Sequence, residues 1–218
     1  AVEITQNMGL KGISRIEGVR GVWSVCALPH TGQLLAGTYG GLYLLKKEKG
    51  RWKAVCQVEG HPYSCKNIAV EDSRTVWVAN KGDGLFRLTL SDDLERVVKA
   101  TNCNNPDIPK DQGLFFSRID GQFIIGNTNG VFRYDTQSHA LEPFENRQMQ
   151  QKGKDNYRLI YQASPQSLWY VKGNDLYLAR QGSDKLLLHN ALIEGFGHIN
   201  PLDKNHLLAG TEDGFVLL

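Results

Sequence analysis

Residues 34–45 read LLAGTYGGLYLL and residues 207–218 read LLAGTEDGFVLL. Three variants lie between them: VWVANKGDGLFRL (76–88), FIIGNTNGVFRY (123–134) and LWYVKGNDLYLA (168–179). Each is an apolar run, a small or amide residue, a turn and a second apolar run. The residues that follow the turns, Leu42, Leu85, Val131, Leu176 and Phe215, recur at intervals of about 39 to 46 residues. That period is characteristic of propeller blades, one four-stranded unit per repeat.

The turns have a physical reading. Gly40-Gly41, Asp83-Gly84, Asn129-Gly130, Asn174-Asp175 and Asp213-Gly214 each join two apolar runs. Tight hairpins require positive φ at their centre, which Gly, Asn and Asp tolerate. The 23 glycines among 218 residues exceed the usual share of about 7% and fit a chain of many tight turns. Further strands flank each hairpin. Before it come 22–28, 65–71, 113–119, 157–163 and 196–202, and after it 52–58, 95–101, 140–145 and 185–190. Each repeat therefore has strands A, B, C and D, and no long amphipathic helix is evident.

The expected fold is all-β, a single β-propeller domain over residues 1–218. It would have five blades of four antiparallel strands at about 22–58, 63–101, 113–145, 157–190 and 196–218. The fifth repeat stops after strand C. Residues 2–5 are expected to supply its missing strand, which would close the ring and remove open sheet edges. The rival is an open arc cut from a larger ring.

Repeat two quotes a family. Asp72, then Val76-Trp77-Val78, Ala79-Asn80, Gly82 and Gly84-Leu85 resemble the two-component regulator propeller repeat. That repeat runs acid, short turn, Leu-Trp-Ile-Gly-Thr, two variable positions, Gly-Gly-Leu. Repeats one and five keep Gly37-Thr38 and Gly210-Thr211. Repeat four keeps Trp169, and repeat three keeps Gly126-Asn127 and Asn129-Gly130. The resemblance spans about residues 20–218. It implies the sensor portion of a bacterial membrane-spanning or regulatory protein, often a hybrid histidine kinase of gut Bacteroidetes that responds to polysaccharide fragments. Its implied location is the periplasm, with the cytoplasm as the alternative. No kinase or DNA-binding segment is evident, so the chain is expected to be the sensor piece alone.

The composition sets other bounds. With 25 basic and 23 acidic residues there is no basic excess to hold nucleic acid. No apolar run nears the roughly 18 residues of a membrane span, and AVEITQNMGL lacks the basic and apolar regions of a signal peptide. The expected partners are an oligosaccharide or other small ligand, and a second copy or a neighbouring domain. No nucleic acid, membrane insertion, metal or cofactor is expected.

In an A–B–C–D meander the B–C turns and D–A connections share one face. The A–B and C–D turns share the other. The D–A connections are longer and more individual, which marks their face as the functional one. The candidate contacts there are Tyr39, His61, Tyr63, Lys81, Asp83, Asn105, Asp107, Asn127, Asn129, Tyr157, Lys172, His198, Glu212 and Asp213. Aromatic faces with amides and carboxylates suit sugar rings and their hydroxyls. The same Asn, Asp and Gly residues also occupy turns for backbone reasons alone. Trp23, Trp77 and Trp169 lie in strands and are expected to pack between blades, as is Trp52 in an outer strand.

Catalysis is not expected. A glycosidase needs two carboxylates converging about 5–10 Å apart. Here Glu17, Asp83, Asp107, Asp111 and Glu212 are grouped by no motif, and His30, His61 and His198 have no nucleophile at a partner spacing. A glycoside hydrolase or lyase is the minority alternative, and an assembly scaffold without small ligand the main one. Cys26, Cys56, Cys65 and Cys103 show no CxxC pair and are expected to be reduced. Of the four, Cys103 is the one whose loop position allows exposure.

Overall fold

A computed structural model of the chain describes residues 2–4, 10–13, 16, 18–80, 82–104, 114–127, 129–145, 157–180, 183–189, 198–202, 206–211 and 214–217. The chain divides into two compact units. One comprises residues 1–104 with 109–111, the other residues 105–108 with 112–218.

The first unit opens with a hairpin of β1 (Val2–Ile4) and β2 (Leu10–Ile13). Two four-stranded antiparallel meanders follow. The first runs β3 (Val22–Ala27), β4 (Gln33–Thr38), β5 (Gly41–Glu48), β6 (Arg51–Gln57). The second runs β7 (Asn67–Val70), β8 (Thr75–Asn80), β9 (Gly84–Leu90), β10 (Val97–Asn102).

The second unit holds two more such meanders and a shorter one. They are β11 (Phe115–Ile119) to β12 (Gln122–Asn127), β13 (Gly130–Asp135) and β14 (Ala140–Pro143), then β15 (Tyr157–Ser164) to β16 (Ser167–Lys172), β17 (Asp175–Arg180) and β18 (Ser183–Leu188). The last is a three-stranded sheet of β19 (His198–Pro201), β20 (Leu207–Thr211) and β21 (Gly214–Leu217).

Burial explains the composition of each strand. β8 (TVWVAN) is buried along nearly its whole length, as a central strand covered on both faces must be. β6 (RWKAVCQ) alternates exposed and half-buried residues, as an outermost strand covered on one face does. In the first unit, β3 packs against β7. Leu35, Leu42 and Leu44 of one sheet meet Ile68, Val76, Val78 and Leu88 of the next. In the second unit, Phe115, Ile124 and Val131 meet Tyr157, Ile160, Leu168 and Tyr170 in the same way. Each such side chain contributes about 1.5–3 kcal/mol by leaving water.

Two expectations are corrected. Residues 2–5 were to complete the fifth sheet, but Val2–Ile4 pairs with Leu10–Ile13. Closing the five-residue connection between those strands costs less chain entropy than joining segments roughly two hundred residues apart. The hairpin turns also sit one residue or more earlier than expected. Thr38 pairs with Gly41, Asn127 with Gly130, Lys172 with Asp175 and Thr211 with Gly214, leaving two-residue loops. Asn80 pairs with Gly84 around a three-residue loop.

Candidate functional site

In the first three repeats the small or amide residue before the turn is a turn cap. Thr38 Oγ1 accepts from Gly40 N at 3.1 Å and donates to Gly41 O at 2.9 Å. Asn127 Oδ1 accepts from Asn129 N at 2.8 Å and Gly130 N at 3.1 Å. Asn80 Nδ2 donates to Asp83 Oδ2 at 2.7 Å. An amide at the end of the outer strand then holds the turn from the side. Gln57 Nε2 donates to Gly40 O at 2.7 Å, and Asn104 Oδ1 accepts from Leu85 N at 2.9 Å.

In the first unit the D–A connection lies against the B–C turn. Cys65 N donates to Thr38 O at 2.8 Å, and Val58 N to Leu42 O at 2.8 Å. The Tyr39 turn therefore rests beside the segment that carries His61 and Tyr63. Tyr39 is 65% exposed and Tyr63 50%. The Tyr39 ring covers Gly21, where any Cβ would stand 2.4 Å from it, and meets Trp23 edge-on at 4.9 Å. Trp23 is 41% exposed, which overturns its expected place between blades. Lys66 Nζ lies 5.0 Å from the centre of its ring. An open groove of about 470 Å³ borders the turn, with Arg20, Thr38, Gly40 and Tyr43 in its wall.

Behind Tyr63 the aromatic packing continues inward. Tyr63 and Phe86 are parallel with centroids 6.0 Å apart, and His61 stands edge-on at 5.3 Å from each. His61 is buried. Desolvation pushes its pKa down, and the charge of Asp83 opposes this by favouring the imidazolium. The first unit thus brings Tyr39, His61, Tyr63 and Asp83 to one region, and adds Trp23, Lys66 and Phe86. The inner-strand aromatic Trp23 was missed because an apolar residue in a strand is ordinarily core. What marks it is Gly21 two residues earlier, which leaves room for the Tyr39 ring.

Of the second unit's described candidates, Asn127 and Tyr157 are buried. Asn127 is buried, with its carbonyl committed to the turn, and Asn129 is half-buried in that turn. Tyr157 is buried edge-on to Tyr170 at 5.6 Å, and pairs in register with the half-buried Lys172. His198 pairs with Gly210 through the backbone. Lys81, Asn105, Asp107, Glu212 and Asp213 lie outside the described residues.

Trp77, Trp52 and the thiols are structural. Trp77 is fully buried and donates from Nε1 to Glu71 Oε2 at 2.8 Å, where Arg87 Nε also donates at 2.8 Å. Trp52 is half-buried beneath Lys47, 5.9 Å away. All four cysteines are free. Cys103 is buried, against the exposure its loop allowed, because its N–H continues the ladder to Leu85 O at 2.9 Å and pulls the residue under the turn. Among the described residues no three His, Cys, Asp or Glu side chains gather as a metal site, and no helix is long and apolar enough to cross a membrane.

No protein-family model matches the sequence, and no curated protein is significantly similar to it. Its structure is similar to the extracellular domain of the putative hybrid two-component system BT4673 from B. thetaiotaomicron. The TM-score is 0.58 at 18% identity over 90% of this chain. The chain spans 26% of that protein's length, about a quarter. It is also similar to YCF48 in a structure bound to D1 peptide, with TM-score 0.58 at 14% identity over 97% of this chain and 67% of that one. A third likeness is to the WD40 β-propeller domain of Doa1, with TM-score 0.54 at 12% identity over 86% of this chain and 60% of that one. These likenesses and the repeated four-stranded meanders establish the architecture: the fold is that of a β-propeller.

Proposed function

We propose that the chain is a non-catalytic binding propeller, the sensing part of a bacterial signalling protein, which receives its ligand on the rim formed by Trp23, Tyr39 and Tyr63. The observation that carries this reading is the exposure of three aromatic rings beside the D–A connection of the first unit, with Lys66 over one of them. Such rings can stack on a sugar while Lys66, Arg20 and Asp83 engage its hydroxyls. The favoured ligand is an oligosaccharide fragment. A periplasmic location accords with the likeness to the extracellular domain of a two-component system.

A second reading makes this rim a protein-binding face, shared with another copy or a neighbouring domain. The observation favouring it is that YCF48, of similar fold, was solved with a peptide. Calorimetry with a panel of oligosaccharides, on the native chain and on Trp23→Ala and Tyr39→Ala, separates the two. Loss of one stacked ring is expected to weaken glycan binding by roughly threefold to tenfold. If no oligosaccharide binds and the same substitutions abolish self-association or partner capture, the glycan reading is wrong. Turnover of a glycan that is lost in Asp83→Asn would displace both readings.

A further inference from the structure

Among the described residues, His61 Nε2 is the buried side-chain nitrogen or oxygen that has no hydrogen-bond partner. Leaving such an atom unsatisfied is costly, and its presence in a folded chain calls for a reason. The residue is 4% exposed. Its ring is clasped by Tyr63 and Phe86, and its carbonyl oxygen lies 2.9 Å from the Cβ position of Gly41, which only glycine leaves open.

The segment around it ties the two sheets of the first unit together. Val58 N bonds to Leu42 of the first sheet. Glu59 bonds both ways to the second, its N–H to Glu95 O at 2.9 Å and its carbonyl from Val97 N at 2.8 Å. Cys65 N returns to Thr38 of the first sheet. His61 lies between these anchors, with its ring against Phe86 of the second sheet.

We propose that His61 is an acid-release catch: the neutral imidazole plugs the segment 60–64 into the aromatic nest, and its protonation unseats the segment, drawing Tyr63 off Phe86 and uncovering Cys65. An imidazolium in this nest has no acceptor at Nε2 among the described residues. Among the described residues the ionisable groups about it are few. Asp83, on the turn before β9, favours the charged form, but its Oδ2 is already engaged by Asn80. Cys65, on the same segment, is held neutral by burial, its thiol pushed up to about 12. From β5 the contact is Gly41 and from β9 it is Phe86, neither of which carries charge.

Desolvation outweighs Asp83, so the folded imidazole titrates below its ordinary value. A group whose folded pKa lies below its unfolded one binds its proton more readily in the released state. Release therefore grows as pH falls below about 6.5.

This inference goes beyond the ligand reading and its test uses no ligand, so each can fail alone. On the full chain, hydrogen exchange of peptides covering 58–66 is measured at about pH 7.5 and about pH 5, corrected for intrinsic rates. Labelling of Cys65 by 4,4′-dithiodipyridine, which reacts in acid, is followed in parallel. One linked proton permits up to about a tenfold rise in opening per pH unit below the transition. The native chain is expected to open at 58–66 by about tenfold or more, while peptides from β16 hold and His61→Phe stays closed at both pH values. Equal exchange at both pH values, equal opening in His61→Phe, or simultaneous opening of β16 overturns the proposal. Should His61→Phe not fold, the imidazole titration of the native chain decides: a folded pKa at or above about 6.5 is incompatible with a catch.

Discussion

Gly37 lies directly under the Cys65 carbonyl: a Cβ built on Gly37 would stand 2.2 Å from that oxygen and 2.9 Å from Ile68 Cγ2. The Gly of the Gly-Thr phrase is thus a point of close approach between neighbouring sheets, and a Cβ on its counterpart Gly126 would stand 2.0 Å from the Phe115 ring of the adjacent strand. Gly37 does not have a positive φ, so space alone is at stake. Gly37→Ala should lower stability by about 1–3 kcal/mol. Gly40→Ala, which meets nothing within 4 Å, should stay within about 0.5 kcal/mol. Urea denaturation of both variants makes the comparison, and equal midpoints would refute the close-approach account.

Much of the fold was legible because each blade repeats one solution to one problem. Apolar runs such as Val76–Ala79 must be covered on both faces, and Gly or Asn must punctuate them. The boundaries of β3, β6, β15 and β18 fell within two or three residues of expectation for that reason. The turn register was harder, because Gly41 and Gly130 look like turn centres but are the first residues of the returning strand. The site was legible only in part. Tyr39 and Tyr63 announce themselves as aromatics in loops. Trp23 and the cap role of Asn127 depend on what stands opposite them, and no single repeat carries that information.

Contacts between inner strands were likewise hidden. Cys26, opposite Leu35, donates from Sγ to Ile68 O of the next sheet at 3.1 Å. Ser117, opposite Ile124 at the matching register, donates from Oγ to Ile160 O. Cys26→Ser should therefore be accepted with a stability change under about 1 kcal/mol, and Cys26→Val, which removes the donor, should cost about 1 kcal/mol more. Thermal unfolding of the two variants tests this, with equal melting temperatures counting against the hydrogen bond.

Burial also sets thiol chemistry. It pushes the thiols of Cys26 and Cys103 up to about 11 and that of Cys65 to about 12. At about pH 8, about one Cys26 thiol in a thousand is ionised. Iodoacetamide should label the native chain slowly and first at Cys56, the half-buried cysteine of the outer strand β6, with all four reacting in denaturant. Peptide mass spectrometry reads the order, and early labelling of Cys103 would contradict its burial.

Asp72 is expected to contribute to the acid limb of stability. Burial works against its charge, but its Oδ1 accepts from Arg74 N at 2.9 Å and Thr75 N at 2.8 Å, and these bonds hold its pKa below the ordinary value. A carboxyl with a depressed folded pKa adds stability above its unfolded pKa and loses it as pH falls through the folded one. Between about pH 4 and pH 2 the native chain should lose melting temperature more steeply than Asp72→Asn, which keeps an acceptor but cannot titrate. Parallel slopes would assign acid lability to other groups.

The turn caps offer a swap between blades. Thr38 and Asn127 occupy the same register and each accepts the N–H of the residue two ahead, from Gly40 and Asn129. Asn127 is buried, so deleting its side chain removes an acceptor that water does not readily replace. Asn127→Ala should cost about 1–3 kcal/mol. Asn127→Thr should recover at least half of that, because a hydroxyl already does this work at Thr38. Equilibrium denaturation of the pair is the measurement. If threonine fares no better than alanine, the cap is specific to the carboxamide, and the two turns are not chemically interchangeable.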